Sequence, residues 1–291
     1  MSTVVNQNHP KKEGLLTDEE IKAKVISELT VPTQPTNTGT STVPSEIIDL
    51  PSKGWFYPEG HPLASGKIEM KYMTAKEEDI LASQNLIKQG VVIDRLLQSL
   101  IVTRINYNDL LTIDKNAIFI AARVLGYGKD YEIEVTCPSC GEKSKHIIDL
   151  QEFGEKDIDW SHYTKGQSTH KFTLPVSNKE VELKFLTHGD EKLIEEAVKA
   201  NKKLSKIIGV DPELTTRLKH LIVSFDGSTD RKDINKNVDN MLSRDSLALR
   251  NYLKTVTPDI DTTFTFVCPH CDHVQEKMTL PINVNFFWPS L

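Results

Sequence analysis

All four cysteines of the chain lie in two short stretches, CPSCG at 137–141 and CPHCD at 268–272. Two cysteines with two residues between them can reach one ion from a tight turn, and thiolates are the ligands zinc takes best. Each stretch therefore has the form of half a four-thiolate site. Cys137, Cys140, Cys268 and Cys271 together predict one shared zinc ion, or another thiophilic metal. Proline after the first cysteine stiffens each turn, and Gly141 or Asp272 follows the second, where a positive φ is often needed. His146, His270 and His273 leave a rival arrangement open, with two separate cysteine–histidine sites. A redox CxxC fits less well, because that motif opens a helix after a strand. Here alternating segments run into and out of both pairs: YEIEVT and SKHIIDL around the first, TFTFV and EKMTLPI around the second. That is the pattern of a knuckle at the tip of a β-hairpin. A closed four-thiolate site has no open position for water or substrate, so the expected metal is structural and its binding contributes to folding.

The rest of the sequence offers no catalytic constellation. It contains no GxSxG, HExxH, P-loop or GxGxxG. Glu77, Glu78 and Asp79 fall in the first turn of a predicted helix, where they complement its dipole. The expectation is a non-enzymatic protein with no small-molecule substrate. A net charge of −6 and a pI near 5.9 exert no general pull towards nucleic acid or an anionic membrane. Lys143, Lys145 and Lys277 are the only cations close to the cysteine pairs, with Glu142 and Glu276 beside them. A zinc-ribbon nucleic-acid module therefore remains only a lesser alternative, and a metalloenzyme a third. No apolar run approaches the roughly 18 residues of a membrane span. MSTVVNQNHPKKEG has no apolar secretory region, so reduced, metal-bound thiols in a cytoplasm are expected rather than disulfides.

The elements that must carry the cysteines occur twice in the same order. KIEMKYM (67–73) alternates as a strand, and Thr74 with Glu77 has capping-box spacing for a helix through Leu81. Further helices are predicted from Val91 to Val102 and from Asp114 to Leu125, the last capped by Gly126. The strand into Cys137 follows. In the second half VELKFLT (181–187) alternates, Thr187 with Asp190 repeats the cap, and RLKHLIVSF (217–225) reads as a helix to be set beside RLLQSLIVT (95–103). Helical patterns cover 231–242 and 244–256 before the strand into Cys268. The separation between halves grows along the chain: 113 positions from Thr74 to Thr187, 121 from Leu100 to Leu221, 131 from Cys137 to Cys268. A duplication with loop insertions behaves this way.

The expected architecture is therefore α+β: an internally duplicated unit of strand, helices and zinc-knuckle hairpin, its two copies joined by one shared zinc site. The expected divisions are a flexible arm at 1–46, a first repeat at 47–155, a linker and hairpin at 156–180 turning at Ser177-Asn178-Lys179, and a second repeat at 181–291. The arm is poor in large apolar groups and cannot offset its ordering entropy alone. One short helix is predicted inside it, where Thr17 and Glu20 cap Ile21, Val25, Ile26 and Leu29, and it needs another surface to be stable. IIDLPSKGWFYPEGHPLASG (47–66) reads as a structured loop anchored by Trp55, Phe56 and Tyr57, and INVNFFWPSL (282–291) closes the chain with Phe286, Phe287 and Trp288. These aromatics either pack on the chain's own core or dock into a neighbour.

With LPSKGWFYPEGHPLASGKIEMKYMTAKEEDIL (50–81), LIKQGVVIDRLLQSLI (86–101), the two knuckles and the FFWP close, residues 47–291 resemble a family of baseplate proteins from T-even-type contractile-tailed bacteriophages. The resemblance implies a place in the central hub of the tail baseplate, as a hub subunit or as a hub assembly factor absent from the mature virion. It implies other phage baseplate and tail proteins as partners, the virion as location after assembly in the host cytoplasm, and no catalytic residues.

Overall fold

The computed structural model describes residues 43–208, 212–280, 282 and 284–287. The predicted arm helix, Trp288 and the residues after it lie outside that set. KIEMK folds as the alternation requires. Strand β2 (Lys67–Lys71) buries Ile68 and Met70 on one face and pairs antiparallel with β1 (Ser45–Asp49). The stretch read as a loop from residue 47 thus begins with a strand, and that strand starts inside the predicted arm. SEIID alternates poorly, and its partner lies about twenty residues downstream, across the Gly- and Pro-rich loop.

Helix α1 (Ala75–Ala82) opens on the expected box: the Thr74 amide donates to Glu77 Oε2 at 2.9 Å and the Thr74 hydroxyl at 2.5 Å. Helices α2 (Gln84–Gln89) and α3 (Val92–Leu100) follow, and α3 buries Val92, Leu96, Leu97 and Leu100. Helix α4 (Lys115–Tyr127) runs past Gly126, which is not its cap. A Cβ at Gly126 would lie 2.9 Å from Met73 Cε, so this glycine makes room for a packed side chain. The helix stops two residues later at Gly128, whose φ of 84° suits a residue without a Cβ.

The hairpin of β5 (Thr169–Thr173) and β6 (Glu180–Lys184) turns where expected, with Asn178 at φ 55°. Long helix α5 (His188–Ile208) is followed by α6 (Glu213–Leu221), β7 (Ile222–Phe225), α7 (Arg231–Asp239) and α8 (Ser243–Val256). The helix read through RLKHLIVSF therefore ends at Leu221. IVSF is a strand, hydrogen-bonded to β6 as the third member of the sheet β5-β6-β7. A short apolar run cannot declare helix or strand by periodicity alone, and here pairing with a neighbouring strand decides it.

The same event occurs earlier in the chain. Helix α3 ends at Leu100, and Ile101 turns extended to bridge Met70 of β2. Both caps also carry the same lysine. Lys71 Nζ lies 2.8 Å from Glu77 Oε1, and Lys184 Nζ lies 2.8 Å from Asp190 Oδ1, with Asp190 accepting the Thr187 amide at 3.0 Å.

The main core gathers around Ile68, Met70, Leu96 and Ile118, and it also takes Phe185, Val256, Leu280, Phe286 and Phe287 from the second half. A separate core forms among Val181, Leu183, Leu218, Ile222 and Leu249. Phe56, Tyr57, Phe286 and Phe287 are fully buried, so these aromatics pack on the chain itself. Burying each of the three phenylalanines is worth about 1.5–3 kcal/mol. The aromatic loop is tight as well as apolar: a Cβ on Gly54, at φ 75°, would meet the Ala64 carbonyl oxygen at 2.4 Å. Among the described residues no helix is long and apolar enough to cross a membrane.

Candidate metal centre

Two β-hairpins build the site. Strand β3 (Asp130–Thr136) pairs with β4 (Lys143–Asp149), and β8 (Thr263–Val267) pairs with β9 (Val274–Thr279), both antiparallel. Each tip is closed by the same two bonds. In the first, Cys137 N–H donates to the Glu142 carbonyl and Gly141 N–H to the Cys137 carbonyl, each at 2.9 Å. In the second, Cys268 N–H donates to the His273 carbonyl at 2.9 Å and Asp272 N–H to the Cys268 carbonyl at 3.0 Å. Gly141 and Asp272 have φ of 77° and 54°, as the sequence required of the residue after each second cysteine.

Alternation then sets the inner faces. Val135 and Phe266, two residues before the leading cysteines, are buried with Cys137 and Cys268 in a small cluster that includes Ile133, Phe264 and Met278. This apolar floor holds the hairpins together below their tips. Above it the four sulfurs converge, all within 4.8 Å of one another. Cys137 Sγ lies 3.7 Å from Cys271 Sγ, and Cys140 Sγ lies 3.7 Å from Cys268 Sγ. A tetrahedron with a metal–sulfur distance of about 2.3 Å has edges of about 3.8 Å, which the two 3.7 Å separations match. Cys137 and Cys268 are buried, whereas Cys140 and Cys271 are exposed.

The electrostatics favour a cation. The backbone N–H of Cys140 is the main influence pulling the Cys137 thiol down to about 6. Against the lowering effect of the Glu142 backbone, local desolvation and the neighbouring sulfurs of Cys271, Cys137 and Cys268 push Cys140 up to about 12. Thiolates at contact distance cannot all ionise unless a positive charge sits among them. Among the described residues no histidine nitrogen joins the sulfur group, and His146 instead stacks against Phe264 at 5.5 Å. The geometry thus brings together the four predicted cysteines and leaves the histidines of the rival arrangement outside.

The outer face of the first hairpin carries a feature that residue spacing alone does not reveal. Lys143 pairs with Glu134 at 2.6 Å and Lys145 with Glu132 at 2.7 Å, all four exposed. Opposite charges on two segments become legible only once the register across the hairpin is known. They neutralise the lysines nearest the first cysteine pair.

A family model described as T4 bacteriophage base plate protein matches residues 56–288, most of the chain. No curated protein and no solved structure matches it.

Proposed function

The chain belongs to the T4 bacteriophage base plate protein family, and from that membership we propose that it is a non-enzymatic structural component of the base plate hub. In this reading its body is a duplicated unit stapled by one zinc ion, with Cys137, Cys140, Cys268 and Cys271 as ligands. The observation that carries the structural role is the convergence of four sulfurs from two hairpins more than a hundred residues apart. A four-thiolate shell is complete without water or substrate, so the ion would supply a cross-link rather than a reaction. The repeated order of strand, Lys–Thr–carboxylate cap, helix and LIV turn supports the duplication.

Partners are other base plate and tail proteins. Residues 1–42, whose composition gives them little core of their own, are the part suited to folding on a neighbour. With Phe56, Tyr57, Phe286 and Phe287 turned inward, the aromatic loop and the tail contribute to contacts through their rims rather than those rings.

Mass spectrometry of purified virions tests the placement. Recovery of the protein at stoichiometry with tail components supports a permanent part. Its absence from virions, with presence in base plate assembly intermediates, makes it an assembly factor instead. Absence from both removes the reading.

A further inference from the structure

Strand β1 has an open edge. Two bonds at the ends of the β1–β2 ladder set its phase: Tyr72 N–H donates to the Pro44 carbonyl at 3.0 Å, and Leu50 N–H donates to the Gly66 carbonyl at 2.8 Å. Backbone groups alternate in direction along a strand. Glu46 and Ile48 therefore face β2, while the N–H and C=O of Ser45, Ile47 and Asp49 point away from it. Among the described residues these outward groups have no hydrogen-bond partner, and the Ile47 side chain is exposed. Such an edge is a template for one more strand.

An apolar groove of about 210 Å³ borders this edge. Both faces of β1 line it, through Ile48 and Asp49, and among the described residues none of β2 does. It therefore lies on the side of β1 turned away from β2. The other wall is α4, where Ala117 and Ala121 stand one turn apart and leave the space that larger side chains would fill. Phe153 and Ile260 complete the apolar lining. The volume falls below the roughly 300 Å³ at which small-molecule sites begin, so it suits a peptide side chain rather than a free metabolite. The charged groups of the groove are Glu46 and Asp49, with no cation among its described lining residues. Lys67 pairs with Asp49 in the open, whereas Glu46 takes only the Tyr72 hydroxyl among the described residues.

We propose that β1 is the docking edge for an extended segment of a neighbouring protein, added antiparallel as a third strand of the β1-β2 sheet. Antiparallel pairs are the commoner kind, by roughly two- to three-fold. In that pairing the residue opposite Ile47 exchanges both backbone bonds with it, and the residues opposite Ile48 and Glu46 turn their side chains to the groove. The segment therefore carries an apolar residue opposite Ile48 and a lysine or arginine two positions on, opposite Glu46. The unpaired backbone groups select an extended main chain, and the groove and its carboxylate select the side chains. A second copy of β1 does not meet these demands, because SEIID has no cation. The inference rests on the base plate reading only in taking the segment from a protein of the same assembly.

The test titrates the capped peptide acetyl-TLTKT-amide into the whole chain, followed by amide chemical shifts and hydrogen exchange. Its leucine falls opposite Ile48, its central threonine opposite Ile47 and its lysine opposite Glu46. Binding in the millimolar range is expected, with the Ile47 and Asp49 amides shifted and slowed in exchange. N-methylation of the central threonine removes a bond to β1 and should weaken binding at least about tenfold, whereas N-methylation of the leucine, whose N–H points away, should not. Glu46→Lys should reverse the preference between TLTKT and TLTET. Ile47→Pro removes an N–H that β2 does not use, and should lose the peptide while thermal melts show the fold intact. If Ile47→Pro does not fold, the two methylated peptides on the wild-type chain decide. No binding by the wild type, equal binding of the two methylated peptides, an unchanged preference in Glu46→Lys, unchanged binding to Ile47→Pro, or a wild-type dimer that Ile47→Pro dissolves overturns the proposal. A chain that fails here yet is recovered in virions keeps its base plate role and loses only this edge.

Discussion

The hydroxyl of Tyr57 donates a hydrogen bond of 2.8 Å to the carboxylate of Asp114, 57 residues further along the chain. The same carboxylate accepts the Ser52 amide and the Ser52 hydroxyl, each at 2.9 Å, while the Tyr57 oxygen accepts the Leu111 amide at 3.1 Å. One buried acid thus fastens the aromatic loop to the start of α4. Asp114→Ala leaves buried donors unpaired and is expected to cost about 3 kcal/mol, read by denaturant unfolding. Burial raises the pKa of Asp114 from 3.8 to about 6, so the folded state holds this proton more tightly than the unfolded state. Its contribution to stability is therefore lost as pH rises from about 4 to about 6, by roughly 2–3 kcal/mol. Asp114→Asn should flatten that slope; an unchanged slope in the variant refutes the assignment.

His170 has the opposite sign. It is buried beside Tyr163, Phe185 and Tyr252, and neither ring nitrogen has a hydrogen-bond partner among the described residues. Burial, with a smaller push from the nearby His162, lowers its pKa from 6.5 to about 4. The unfolded chain then binds the proton more tightly, and stability is lost as pH falls from 6.5 towards 4. His170→Leu removes this loss. Relative to wild type, the variant should gain about 2 kcal/mol on moving from pH 7.5 to pH 5, measured by unfolding at both values. A gain of the same size at both pH values would mean that packing, not titration, is responsible.

What the sequence made legible was local. The cap at Thr74, the turn at Asn178 and the knuckles at Gly141 and Asp272 each depend on residues within a few positions, and each stands where the spacing put it. Strand β1 and the strand IVSF were not legible, because a partner elsewhere in the chain decides both. Gly126 looked like a cap by type, but the space beside Met73 is a tertiary fact. The same limit applies to sites. Four identical ligands in two motifs announce themselves, whereas Ile48, Ala117 and Ala121 are single residues of common types that only the packing of β1 beside α4 brings together.

The two caps can be compared directly. Glu77 is buried, and it accepts from Ser99 at 2.7 Å in addition to Lys71 and Thr74. Burial alone would raise its pKa, yet the lysine and hydroxyl donors overcome this and hold it near 2. Its stabilising contribution is thus present above the ordinary carboxylate range and is lost as pH falls towards 2. Asp190 is less enclosed and lacks a Ser99 equivalent among its hydrogen bonds. Thermal unfolding should show Asp190→Ala costing about 1–2 kcal/mol, as for an ordinary cap, and Glu77→Ala costing more, about 3 kcal/mol, because Lys71 and Ser99 lose their partner in a buried setting. Equal costs would show that Ser99 and burial add nothing at the first cap.

A metal shared between the hairpins has a consequence that two independent sites lack. If Cys137 and Cys268 bind one ion, either Cys137→Ser or Cys268→Ser breaks the same shell. Elemental analysis of the wild type should count one metal ion per chain, and each single variant should lose it, with a stability loss on the order of 5 kcal/mol. The double variant should then be little worse than either single one, because the second substitution acts on a site already lost. Treating the wild type with a strong chelator should bring it to the stability of the variants and expose four titratable thiols. Separate cysteine–histidine sites predict instead that each single variant keeps one ion and that the two losses add. A small residual coupling is expected even without metal, because Val135 and Phe266 still pack the hairpins against each other below the cysteines. The decisive quantity is therefore the metal count of the single variants, which packing does not influence.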